Sequence, residues 1–98
     1  MKYSELKEKY LQNPEVKREY DALEPEYQFI HDLIICREEL SLSQQGLADL
    51  TGIDRADISR IENGTRNPSL GMVKRLAHGL GMRLKIEFIP EGAIKTAK

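Results

Sequence analysis

Residues 43–64, SQQGLADLTGIDRADISRIENG, read as two short helices joined by a tight glycine turn. Ser43 can cap the first helix, because its hydroxyl can accept from the orphan amides of an opening turn; Leu47, Ala48 and Leu50 are that helix's apolar residues. Gly52 then supplies a backbone free to take positive φ, and Asp54 stands where a second helix needs its cap. Ile58 and Ile61 give the second helix a buried stripe, and Gly64 after Asn63 reads as a left-handed stop. Two helices of about eight or nine residues around such a turn fit a helix-turn-helix, whose second helix enters the DNA major groove. The small Ala48 would let the two helices approach closely.

With Ile58, Ile61 and Glu62 turned inward, the opposite face of the second helix presents Ala56, Ser59, Arg60 and Asn63, and Arg55 projects from its first turn. Arg55 and Arg60 are candidates for bidentate contact with guanine, each worth about 1–3 kcal/mol of base discrimination. Ala56 could pack on a thymine methyl, and Ser59 completes the base-reading set. Gln44, at the start of the preceding helix, and Asn63, Thr65 and Arg66 beyond the second are candidates for the DNA backbone. The bland alternative for either arginine is a solvated surface charge. Asp57 is ambiguous, since an acid facing DNA repels phosphate unless it accepts from cytosine, whereas at the third helical position it can cap the Asp54 amide. The cap is the favoured reading.

Working outward, Glu24-Pro25 opens a helix to Leu40 on which Phe29, Ile30, Leu33, Ile34, Cys36 and Leu40 cover nearly half the circumference. Arg37 falls inside that apolar sector and must be paired, and Glu62, one turn after Ile58, is the best candidate; two snorkelling surface charges are the alternative. Ser69 can cap a last helix to Leu80, with Leu70, Val73, Leu76, Ala77 and Leu80 as its core face and Gly81 as its stop. The period then changes. Leu84, Ile86 and Phe88 alternate with Arg83, Lys85 and Glu87 before Pro90, which predicts a half-buried strand within residues 82–90, followed by a frayed tail at 91–98. A lone strand has unpaired backbone groups, so it is expected to pair with a symmetry mate or a partner protein.

Ahead of this unit, Tyr3, Leu6 and Tyr10 form one stripe at helical spacing. Asn13-Pro14 reads as a cap followed by proline at the first helical position, opening a helix in which Val16, Tyr20 and Leu23 share a face. Residues 1–24 are thus a helical extension whose apolar side packs partly on the helix from Pro25 and partly on a partner, or else only completes the core.

Ninety-eight residues make one small domain, or a small domain with an extension, and leave no room for a large catalytic cleft. The net charge of −1 is unevenly divided. Residues 1–24 carry five basic and six acidic side chains, residues 25–53 one and five, and residues 54–98 nine and five. The basic excess therefore begins at the second helix of the motif, and a patch this modest calls for a dimer with two half-sites to bind tightly. The single Cys36 cannot form an internal disulfide and reads as a small buried hydrophobe. No apolar run approaches a membrane span and MKYSELKEKY lacks a signal-peptide core, so a cytoplasmic location is expected. His31 and His78 have no companions at metal-ligand spacing, and no nucleophile–base pair stands out. Neither a metal, a cofactor nor an enzymatic activity is expected.

The strings LSQQGLADLTGI, DRADISRIENG and RNPSLGMVKRLAHGLG, within Tyr27 to Leu80, resemble the Cro-type (XRE) helix-turn-helix repressor family. The resemblance implies a mainly α, five-helix Cro/phage-repressor-like domain at residues 25–81, with the extension at 1–24 and the short strand at 82–90. It also implies a structural ion pair at Arg37 and Glu62 and a phosphate-reaching glutamine at Gln44. The longer run from Leu11 to Ile86, with NPEVKREYDALEPEY as its entry segment, is similar to HigA-type antitoxins of bacterial toxin–antitoxin operons. That resemblance implies two actions: neutralising a HigB-type, RelE-like mRNA-cleaving toxin and, as a homodimer on double-stranded operator DNA, repressing its own operon. Tyr3, Leu6, Tyr10, Val16, Tyr20 and Leu23 are then the toxin-binding candidates. A free-standing XRE-family repressor, and an interaction module that no longer binds DNA, remain alternatives.

Overall fold

The structure, a computed structural model, describes residues 8–9 and 11–91. Tyr3, Leu6 and Tyr10, and the tail beyond residue 91, lie outside the described residues. Five helices are defined among those described: α1 (Pro14–Asp21), α2 (Pro25–Glu39), α3 (Gln44–Thr51), α4 (Arg55–Glu62) and α5 (Leu70–Gly79). The helix-turn-helix is α3–α4, and α1 belongs to the amino-terminal extension.

Most helix starts are fixed by local side-chain caps. Asn13 Oδ1 accepts from the amides of Glu15 and Val16 at 2.9 and 3.4 Å, and Pro14 occupies the opening turn of α1. Ser43 Oγ accepts from Gly46 N at 2.9 Å, and Ser69 Oγ from Met72 N at 3.1 Å. These bonds satisfy donors that the helix itself cannot. Asp54 departs from this pattern: it holds the N-cap position of α4 without a side-chain cap bond.

Leu47, Ile58, Ile61 and Leu76 are the largest fully buried side chains, and Leu33, Cys36, Ala48, Ile53 and Leu80 complete the core. One core thus joins α2, α3, α4 and α5, and it is the platform against which α4 is held. The apolar pattern overreaches at helix ends: Leu40, Leu50 and Leu70 are exposed although they fall on apolar stripes. Each lies at an end of its helix. Gly52 ends α3 at φ 74°, and beside it Arg75 Nη2 donates to the Thr51 carbonyl at 2.8 Å, tying α5 to the turn between α3 and α4.

The α1 helix is docked on α2 through Tyr20. Its ring is buried and meets His31 edge-on at 5.3 Å, its hydroxyl donates to the Asp32 carboxylate at 3.0 Å, and Gln28 Nε2 donates to its carbonyl at 3.1 Å. Burial, followed by the charge of Asp32, pushes the Tyr20 phenol well above its ordinary value, so it stays a donor.

The strand expected within residues 82–90 does not form; residues 83–91 have no regular structure. Met82 is the last residue anchored, its amide donating to the Ala77 carbonyl at 2.8 Å and its side chain packing on the core. A ladder needs a second strand, and the described residues offer none. Ile86, Phe88 and Ile89 are left exposed. No helix among the described residues is long and apolar enough to cross a membrane.

Candidate nucleic-acid interface

With Ile58 and Ile61 buried, α4 turns Arg55, Ala56 and Arg60 to solvent, with Ser59 half-buried between them. The structure therefore brings the four base-reading candidates onto one helix face. An exposed face one helix wide is the shape that major-groove insertion requires.

Beneath that face Arg37 reaches across from α2. Its Nε donates to Glu62 Oε2 at 2.7 Å and its Nη2 to Glu62 Oε1 at 2.9 Å, a bidentate pair, while Nη1 donates to the Leu42 carbonyl at 2.8 Å. The side chains are only 12% and 6% exposed, so the pair is largely shielded from solvent at the edge of the core. The hydrogen bond with Glu62 holds the guanidinium above its ordinary pKa against the opposing pull of burial. Gln44 Nε2 joins the same carboxylate at 3.0 Å. The amide proposed for a DNA phosphate is thus tethered at the first turn of α3 by the pair that locks α2 to α4, and its second N–H hydrogen is the one left for an outside acceptor.

The carboxyl end of α4 is closed by its own side chains. Asn63 Oδ1 accepts from the Thr65 amide at 3.1 Å and from the Thr65 hydroxyl at 2.7 Å. These two residues shape the turn by which the chain leaves α4, and both are exposed.

Asp57 is where the geometry departs most from the sequence reading. It makes no cap bond to the Asp54 amide; its Oδ1 instead accepts from Arg60 Nη1 at 2.9 Å and pairs with Arg66 Nη1 at 2.8 Å. One carboxylate therefore holds two of the three arginines assigned to DNA. The i, i+3 spacing of Asp57 and Arg60 signals the first contact. Arg66 is returned to the site by the turn after Gly64, which no helical period describes. Replacing Asp57 by asparagine is expected to strengthen binding to random duplex and to steepen the log K against log salt slope by about one, as one more guanidinium becomes available to phosphate. A titration of both proteins at several salt concentrations checks this, and an unchanged slope would show that the bridge does not restrain either arginine.

Among the toxin-binding candidates, Tyr20 is buried against α2, Val16 is half-buried and Leu23 is 37% exposed. Val16, Glu19, Tyr20, Leu23 and His31 line a shallow cavity of about 190 Å³ beside α1.

The helix-turn-helix family model matches residues 33–86, just over half of the chain. The chain belongs to the Cro/XRE-type helix-turn-helix family. It is 40% identical over 57 residues, 58% of each chain, to a protein of Haemophilus influenzae named as an uncharacterized HTH-type transcriptional regulator. It is 42% identical over 45 residues, 46% of this chain and 65% of the relative, to a protein of the same description from Methanothermobacter thermautotrophicus. It is 42% identical over 48 residues, 49% of this chain and 65% of the relative, to the control protein C.MunI of a Mycoplasma species. The chain thus spans from 58% to 65% of the length of these curated relatives. No solved structure matches it significantly.

Proposed function

We propose that this chain is a sequence-specific DNA-binding transcription regulator that reads operator DNA with α4. The observation that carries the reading is the exposed face of Arg55, Ala56, Ser59 and Arg60, held on a core that buries Ile58 and Ile61 completely. Two relatives described as HTH-type transcriptional regulators support it. Arg55 and Arg60 read bases; Gln44, Asn63, Thr65 and Arg66 meet the phosphate backbone. With so modest a basic patch, tight binding calls for a dimer on two half-sites about one helical turn apart. Selection of bound sequences from random duplex tests the reading, and recovery of no preferred sequence would reject it.

Within that reading the two kinds of contact separate. Arg60→Ala is expected to weaken operator binding about tenfold and to relax preference at one base pair per half-site, whereas Gln44→Ala weakens binding evenly across sequences. Equal loss on operator and random DNA for Arg60→Ala would remove it from the base-reading set.

The resemblance of the entry segment to HigA-type antitoxins favours a second action, neutralisation of a HigB/RelE-like toxin through the amino-terminal extension. Since Tyr20 faces inward, this contact falls to Val16 and Leu23 among the described candidates. A free-standing repressor shares every feature of α3–α4 and lacks only the toxin. Co-expression with a short basic reading frame adjacent to the gene separates the two. Growth rescue by the native chain, lost in Val16→Glu plus Leu23→Glu with operator binding kept, favours the antitoxin; growth unaffected by the neighbouring frame favours the free repressor.

A further inference from the structure

An acidic side chain beside the DNA-facing residues of α4 repels every phosphate that approaches, so its presence there needs a compensating use. Asp57 Oδ1 takes Arg60 Nη1 at 2.9 Å and Arg66 Nη1 at 2.8 Å. The three side chains are graded in depth: Asp57 is 22% exposed, Arg66 40% and Arg60 57%. The carboxylate therefore sits behind the two guanidinium groups and holds them from the protein side. The main chain of Arg60 is held as well, since its carbonyl accepts from the Thr65 amide at 2.9 Å and from the Thr65 hydroxyl at 3.3 Å.

We infer that Asp57 is a positioning residue that sets base specificity: it aims Arg60 at the edge of a guanine and keeps it off the phosphates. A guanidinium carries five N–H donors. The bond to Asp57 uses one of those on Nη1 and leaves four, of which a bidentate contact with guanine O6 and N7 needs two.

The carboxylate acts unequally on the two kinds of target. A phosphate is an anion and is repelled by Asp57 as it approaches Arg60, whereas a guanine edge offers neutral acceptors on which that charge weighs little. Asp57, Arg60 and Arg66 together carry two positive charges and one negative, so the pull of the cluster on a DNA backbone is about half that of the arginines alone. The bridge also restricts Arg60 before DNA arrives, which lowers the ordering cost of the one contact whose geometry it permits. Affinity for any duplex is given up, and discrimination between bases is gained.

This rests on the reading of α4 as the helix that meets operator DNA, and the sequence selected by the native chain reports on that reading separately. Native, Asp57→Asn, Asp57→Glu and Arg60→Ala proteins are each used to select bound sequences from random duplex at one salt concentration. Their affinities for the native-selected duplex and for random duplex are then measured, with thermal unfolding as a fold control. A G·C pair is expected at the position that Arg60→Ala relaxes. Asp57→Asn is expected to lose preference at that position alone and to lower the ratio of selected to random affinity about tenfold, with random-duplex binding no weaker than native. Asp57→Glu, which keeps a carboxylate three residues before Arg60, is expected to recover most of that ratio. Adding Asp57→Asn to Arg60→Ala is expected to lower the ratio no further, because the side chain that Asp57 aims is gone. A residue that served folding alone would weaken both duplexes together and at no particular base pair. A native ratio in Asp57→Asn, a loss spread evenly over the selected positions, no recovery in Asp57→Glu, or a further loss in the double variant would each overturn the inference while leaving DNA reading by α4 intact. A native chain that selects no sequence would overturn both.

Discussion

Replacing Glu62 by alanine is expected to lower the unfolding free energy by about 3–5 kcal/mol, a large share of what holds a small domain folded. The size of the effect follows from what the change strands rather than from what it removes. Arg37 makes its two carboxylate contacts to Glu62 from a side chain only 12% exposed, and Glu38, the other carboxylate whose charge acts on it, is exposed to solvent. Without Glu62 the guanidinium keeps one bond, to the Leu42 carbonyl, and carries a charge that little solvent reaches. Gln44 loses its acceptor at the same time, so the opening turn of α3 loosens with it. Replacing both members by apolar residues of similar volume removes the charge together with its partner and is expected to cost much less. Urea unfolding of the two single variants and the double variant checks this as a double-mutant cycle. Small additive effects would show that water, not the partner, solvates each charge.

What could be read in advance from the chain divides by the sequence distance over which each feature is decided. The caps at Asn13, Ser43 and Ser69 act over two or three residues, and the helices that follow them begin where those residues stand. The need for a partner to Arg37 is also legible, because a charge within an apolar sector cannot stand alone, although its bidentate geometry and the attachment of Gln44 are not. Asp57 was less accessible. At one position it can cap, repel phosphate or bind arginine, and the choice depends on Arg66 returning through a turn that propensities do not specify. The strand was misplaced for a different reason. Period two reports which residues suit a ladder, but the ladder itself needs a second backbone, and none is present among the described residues. Tyr20 shows the same limit on the amino-terminal side: its spacing places it on an apolar face, while only Asp32 and His31, on the next helix, decide that the face turns inward.

Gly79 is the position that no sequence period singled out, and Gly79→Ala is expected to destabilise the fold by about 2 kcal/mol, although alanine is the better helix former. A Cβ built there would lie 2.5 Å from Thr51 Cγ2, with Leu47 Cδ1 and Leu50 Cβ at 3.7 and 3.8 Å. Gly79 therefore sets how closely α5 approaches α3. The methyl of Thr51 cannot simply rotate away. Its hydroxyl donates to the Leu47 carbonyl at 2.8 Å and accepts from the Ile53 amide at 3.2 Å, which fixes the side chain at the turn that leads into α4. A β-branched residue has few rotamers to exchange, so relief must come from moving α5 away from α3, and with it Arg75 from the Thr51 carbonyl. Serine at position 51 keeps the hydroxyl and deletes the methyl, which makes Thr51→Ser the discriminating second change. Thermal unfolding of Gly79→Ala, Thr51→Ser and the pair is expected to show the alanine penalty largely erased in the double variant. If the pair instead sums the two single effects, the clash is not with that methyl, and the close packing of α3 on α5 does not depend on Gly79.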